Sequence, residues 1–305
     1  MYYFIINPAS GSGRGLAVWN QIHSELEQLH TEYRFFLLRK RGEAAILVRS
    51  LSRSVHSCTV VVVGGDGTVN EVINGLESFS DITFACIPTG SGNDFIRGLK
   101  LETDPVKALH AILRPQVIKK INIGKTETAS GTFSYAVSCG IGYDASVCDS
   151  VQKSTLKKLL NRFHSGKLVY LLTALRQLIS MQRQSFRIIA DEKPAETFHN
   201  VYFAASMNLQ YEGGGFLFCP QAQPDDDCID LIVAYNISRI GALVLLPLAF
   251  FGKHVGHKGI RIIQCQKADI RCRRPTCVHT DGEVPGYFNR VTFSLHNEKL
   301  AVIVK

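Results

Sequence analysis

Along the first 115 residues, short apolar runs alternate with stretches in which apolar residues recur every three or four positions. Tyr2–Ile6, Arg34–Leu38, Thr59–Val63 and Ile82–Ile87 read as strands. Trp19, Ile22, Leu26 and Leu29 mark a helix after the first strand, Glu43–Arg53 forms the next, and Val69, Val72, Ile73 and Leu76 the one after that. Thr59–Val63 is a β-branched run with no polar alternation, the pattern of a strand buried on both faces. Strands alternating with helices in this way predict a parallel sheet covered by helices.

From about Val117 the pattern changes to short strands separated by turns: Ile118–Gly124, Phe133–Cys139, Phe186–Ala190, Val201–Ser206, Ile229–Tyr235, Ile260–Cys265 and Ala268–Arg273, with Glu192-Lys193-Pro194 as a hairpin-like break. That is an all-β region of sandwich type. One helical insertion, about 153–181, interrupts it, its leucines (Leu156, Leu160, Leu171, Leu175) interspersed with Lys153, Lys157, Arg162 and Arg176. The expected architecture is an α/β domain over 1–117 and an all-β sandwich-type domain over 118–290, with 291–305 returning to the first.

Three polar loops follow predicted strands, and in parallel sheets ligands lie beyond such carboxyl ends. The first, Asn7-Pro8-Ala9-Ser10-Gly11-Ser12-Gly13-Arg14, has neither the third glycine of a dinucleotide fingerprint nor the Lys of a P-loop. The second, Gly64-Gly65-Asp66-Gly67-Thr68, opens a helix whose free N–H groups favour a phosphate. A carboxylate repels phosphate, so Asp66 makes sense there as a metal holder, as a proton acceptor, or simply as a cap. The third is Pro88-Thr89-Gly90-Ser91-Gly92-Asn93-Asp94.

Charge narrows the partners. A net charge of +8 with a pI near 9.0 suits nucleotides or acidic lipid headgroups, and the lack of a Lys/Arg run argues against nucleic acid. Nine scattered cysteines without a CxxC pair favour reduced thiols and a cytoplasmic setting. The N-terminus lacks a signal-peptide pattern, and the apolar segment Ile240–Phe251 is 12 residues long, short of the about 20 that a span needs. It and the basic amphipathic insertion can lie on an anionic membrane surface or pack on the sandwich. The ten histidines are scattered and no histidine ligand set is expected.

Two acidic turns remain. Asp225, Asp226, Asp227 and Asp230 crowd carboxylates that repel one another unless a cation such as Mg²⁺ sits among them. Asp281-Gly282-Glu283 places two more about a glycine.

GGDGT followed by PTGSGNDFIRGL, with NPASGSG at the start, resembles the diacylglycerol kinase catalytic domain shared by bacterial lipid kinases and the sphingosine and ceramide kinases. The resemblance implies a fold like that of the NAD kinases and diacylglycerol kinases. It implies ATP held by Asn7, Ser10, Gly11, Arg14, Gly64, Gly65, Gly67, Thr68, Thr89, Gly90, Ser91, Asn93 and Asp94, with Mg²⁺ on the phosphates. It further implies a structural Mg²⁺ at Asp226, Asp227 and Asp230, although Asp227 stands where the family has glycine. Among Asp66, Asp281 and Glu283, Glu283 is favoured as the base, with Asp281 holding the loop or the nucleotide. The acceptor expected is a membrane lipid, diacylglycerol first, with a sphingoid base, phosphatidylglycerol or soluble NAD as alternatives. Peripheral membrane contact is expected, and a homodimer is compatible with the family.

Overall fold

The computed structural model describes residues 1–55, 57–90, 93–153 and 166–305. They fall into two compact units, 1–123 with 296–305, and 124–295.

In the first unit β1 (Tyr2–Ile6), β2 (Tyr33–Leu37), β3 (Cys58–Gly64), β4 (Ile82–Pro88), β5 (Ile118–Ile121) and β15 (Leu300–Ile303) form one sheet, ordered β2-β1-β3-β4-β15-β5. All its neighbours run parallel except β5, which is antiparallel to β15. Val61 and Val63 pack with Phe4 and Ile6 against Trp19, Ile22 and Leu26 of α1 (Ser10–Gln28) and Leu109 and Ile112 of α5 (Pro105–Leu113). Val60 and Val62, of opposite parity, are just as buried, as is Val72 on α3 (Asp66–Gly75) and Val48 on α2 (Glu43–Ser54). Both faces of β3 are therefore dry, which is why its sequence shows no alternation. A short helix of six residues, α4 (Asp94–Leu99), follows the loop after β4.

The strand Ile118–Ile121, grouped above with the β-rich half, instead pairs with β15 and completes the first sheet. The chain crosses into the second unit only at Gly124, and the return begins at His296 rather than Val291. Hydrophobic pattern alone did not separate these strands, because both units use short apolar strands there.

The second unit is a nine-stranded set containing β6 (Gly124–Thr128), β7 (Gly131–Tyr135), β8 (Ser138–Gly142), β9 (Gln184–Ala190), β10 (Glu196–Met207), β11 (Ile229–Tyr235), β12 (Ile260–Cys265), β13 (Ala268–Thr280) and β14 (Glu283–Leu295). The long strands β10 and β13 each pair first with β9 and then with β8. The wall so folded encloses Phe186, Phe198, Val201, Ile229, Ile270 and Phe293. The predicted strand Phe133–Cys139 is two strands, β7 and β8, broken at Ala136-Val137. The helical insertion starts earlier than its leucine pattern, as α6 (Tyr143–Lys153) and α7 (Gly166–Ser180); residues 154–165 lie outside the described residues. The last helix, α8 (Arg239–Phe250), carries Pro247 inside it. No described helix is long and apolar enough to cross a membrane.

Candidate functional site

The adjacent parallel strands β1, β3 and β4 end in register, Ile6 beside Val63 and Gly64 beside Pro88, so their three loops emerge at one edge of the sheet. Side chains then tie the loops together. Asn7 Nδ2 donates to Thr68 Oγ1 at 3.0 Å, and Thr89 Oγ1 donates to Ser10 Oγ at 2.8 Å. Ser10 Oγ in turn donates to the Asn7 carbonyl at 2.6 Å. Approach is close enough to demand glycine: a Cβ on Gly11, whose φ is +58°, would stand 2.2 Å from the Thr89 carbonyl oxygen. Gly64 lies against Thr68, whereas Gly65 faces open space at the helix start.

Asp66 bridges the second and third loops. Its two carboxylate oxygens accept from the N–H of Asp94 at 3.0 Å and of Phe95 at 3.1 Å, the free donors at the start of α4. Asp94 pairs with Arg97 at 3.0 Å. Asn93 is buried, and among the described residues neither polar atom of its amide has a hydrogen-bond partner. An unpaired buried amide costs about 1–3 kcal/mol, so this one is suited to a ligand. Arg14 is exposed on the first turn of α1, and Gly67 and Gly90 line the same loops; Ser91 lies outside the described residues.

In the second unit Asp281 and Gly282 are the two turn residues of the β13–β14 hairpin, with Thr280 paired to Glu283. Both have positive φ, +48° and +85°, as a two-residue hairpin turn requires. The Asp281 carboxylate accepts three backbone N–H groups, from Ala136 at 2.9 Å, Val137 at 2.8 Å and Ser138 at 3.0 Å. This clamp pulls Ala136-Val137 out of the ladder and explains the break between β7 and β8. Glu283 is half-exposed, and its carboxylate accepts from Gln152 Nε2 of α6 at 3.4 Å, while the same Gln152 amide donates to the Gly282 carbonyl at 2.9 Å. Of the three candidate bases, Asp66 and Asp281 have both carboxylate oxygens engaged by backbone amides.

At the other acidic turn, Asp226 Oδ1 accepts from the Cys228 N–H and Oδ2 from Gln264 Nε2, both at 3.0 Å. Asp227 adopts φ +63°, the left-handed conformation natural to the glycine it replaces. Asp230 is buried, and burial together with the nearby Asp226 raises its pKa to about 6. A carboxylate whose proton affinity is raised by burial and by a neighbouring carboxylate fits a hard cation.

Three residues that the sequence reading did not bring together meet beneath the hairpin turn. His279 Nε2 lies 3.1 Å from Asp144 Oδ2 and 3.2 Å from Glu212 Oε1. Among the described residues this is the one set of three ligating side chains within 4.8 Å; Asp226, Asp227 and Asp230 do not form such a set. Its members are far apart in sequence, and the only local hint was the glycine-rich run before Asp144. His279 faces Gly140 across the β8–β13 ladder, and a Cβ there would stand 1.7 Å from Asp144 Oδ2. The missing side chain makes the room.

Residues 1–126 match the diacylglycerol kinase catalytic domain, and residues 137–304 match the YegS C-terminal NAD kinase beta sandwich-like domain. The chain is 30% identical over 291 residues to the "Putative lipid kinase YtlR" of Bacillus subtilis, covering 93% of this chain and 94% of that one. It is 27% identical over 282 residues to a diacylglycerol kinase of Mycobacterium tuberculosis, covering 92% and 87%. Among solved structures it is similar to a "putative diacylglycerol kinase" from Bacillus anthracis, with TM-score 0.76, 21% identity and coverage of 100% and 97%. An NAD kinase from Archaeoglobus fulgidus in complex with ATP shares the fold at TM-score 0.56 and 10% identity, covering 99% and 93%. With both halves matched and the first domain's loops in place, the chain belongs to the diacylglycerol kinase catalytic-domain family and is a lipid kinase of that type.

Proposed function

We propose that the protein transfers the γ-phosphate of ATP to a hydroxyl of a membrane lipid, diacylglycerol before others. The observation that carries this reading is the rim of three cross-linked loops, with open space at Gly65 and an unpartnered buried Asn93. Backbone N–H groups from Gly65 to Gly67 and the Asn93 amide hold the phosphates, and Asn7, Ser10 and Thr89 keep those donors in place. Phosphoryl transfer depends on positioning and charge neutralisation, which suits a site without a covalent nucleophile. Mg²⁺ would supply neutralising charge on the phosphates, and the residues that fit a structural ion are Asp226 and Asp230. Glu283 accepts the proton of the acceptor hydroxyl.

A lipid acceptor and a peripheral place at the membrane are supported by α8. Its outward positions Ile240, Leu243, Val244, Pro247 and Phe250 follow helical spacing, and Phe251 continues them; Ile240 is 76%, Val244 58% and Phe251 67% exposed. An apolar helix face is ordinarily covered. Arg239, Lys253 and Lys258 flank it, a charge pattern complementary to an anionic bilayer.

The test is labelled ATP offered with vesicles of diacylglycerol, a sphingoid base or phosphatidylglycerol in anionic lipid, and with NAD in solution. Label in phosphatidic acid is expected, and V244D with F251S should weaken vesicle binding without lowering thermal stability. Label in NADP alone would overturn the lipid reading.

A further inference from the structure

The buried trio has the composition of a cation site, and its 3.1 and 3.2 Å separations are those of ligands around one ion as well as those of hydrogen bonds. The other ring nitrogen decides between them. His279 Nδ1 accepts from the Gly282 N–H at 3.1 Å, so its lone pair is in use and the ring proton sits on Nε2. A metal-bound histidine does the reverse, donating its second N–H to an acceptor. The trio is arranged to share protons.

We propose that Asp144, His279 and Glu212 act as a positioning unit for the hairpin turn: the carboxylates hold the ring by Nε2–H, and Nδ1 holds Gly282 between Asp281 and Glu283. This rests on the reading of Glu283 as proton acceptor. His279 is 1% exposed, so the ring has no water to substitute for either partner. Helix α6 secures the turn twice, through Asp144 at its start and through Gln152 near its end. Among the described residues, Asp144 Oδ1 and Glu212 Oε2 are buried and without a hydrogen-bond partner. Burial lowers the proton affinity of His279, Glu212 and Asp144 raise it well above the ordinary value, and burial raises that of Asp144, so the trio as a whole retains a proton. The Gly282 N–H on Nδ1 keeps that proton off this nitrogen. The remaining titratable groups facing the ring are Cys139 on β8 and Cys277 on β13, both pushed up to about 12, chiefly by burial, and so neutral.

Two substitutions divide the ring's functions. H279N keeps an acceptor at the Nδ1 place and loses the Nε2 donor; H279Q keeps the donor and loses the acceptor. If the trio positions Glu283, H279Q should lower kcat by about 10²-fold, the effect of a displacement of about 1 Å, with KM for ATP unchanged. H279N should keep more turnover although it leaves two carboxylates without a donor and melts lower. A purely structural trio would make turnover follow melting temperature, and that ranking would overturn the proposal. The ¹⁵N shifts of the His279 ring test the arrangement without any activity: a proton on Nδ1 at neutral pH would overturn it. Absence of lipid phosphorylation with an Nε2–H tautomer would instead sink the kinase reading and leave the trio standing.

Discussion

Two glycine-flanked aspartates, Asp66 in the first unit and Asp281 in the second, look alike in sequence and both turn their carboxylates back on the chain. Asp66 accepts two backbone N–H groups from the next loop of its own motif set, and Asp281 accepts three from a turn nearly 150 residues earlier. The first unit is built so that motif residues hold one another: Asn7 with Thr68, Ser10 with Thr89, Asp66 with the start of α4. In the second, motif residues are held by residues that belong to no motif, namely Ala136, Gln152, Asp144 and Glu212. The difference teaches that an acidic residue beside a glycine can be a clamp, held either by its own motif set or by distant residues. The carboxylate proposed above as the proton acceptor is a neighbour of the second clamp, Glu283.

The sharpest way to break that distinction is E283Q. It should cut turnover by about 10²- to 10⁴-fold, the usual contribution of a general base, while melting and KM for ATP stay near those of the parent. Near-normal turnover would return the role of base to one of the clamps.

Next in size are the clamps themselves. D281A strands three buried N–H groups, each costing about 1–3 kcal/mol, so a loss of about 3 kcal/mol or more is expected in denaturant unfolding. D66A strands two and should cost less. A reversed order would mean that water reaches the Ala136–Ser138 turn more readily than the start of α4.

The smallest effect belongs to the Asp226–Asp230 turn. Without metal, the folded state keeps a proton on Asp230 that the unfolded chain releases, since burial and Asp226 raise its pKa from 3.8 to about 6. Stability therefore falls as pH rises through that window. Mg²⁺ needs ionised carboxylates, so its stabilising shift should be full above pH 7 and shrink as pH falls through about 6. At about 100 times the dissociation constant the gain is near 2.7 kcal/mol, and D226A should remove it. A melting shift that is the same in D226A would place the ion elsewhere.

The amino-acid sequence by itself determined the helix-covered parallel sheet, the three loops at its edge and the lipid-kinase family, because these depend on features local in the chain. An unbroken β-branched run bounded by turn residues reads as a doubly buried strand, and glycines at strand ends mark where the chain can turn. It also placed Asp281-Gly282 at a turn, where two positive φ angles favour that pair. Tertiary structure alone decided that Ile118–Ile121 closes the first sheet, that the Phe133–Cys139 run breaks in two, and that Asp144, Glu212 and His279 converge. Each of these depends on a partner distant in sequence: Leu300–Ile303 for the strand, Asp281 for the break, and the β8–β13 ladder for the trio. Gly140 shows the limit most plainly, since the reason for a glycine there is a carboxylate four residues on, lying in the space across from His279.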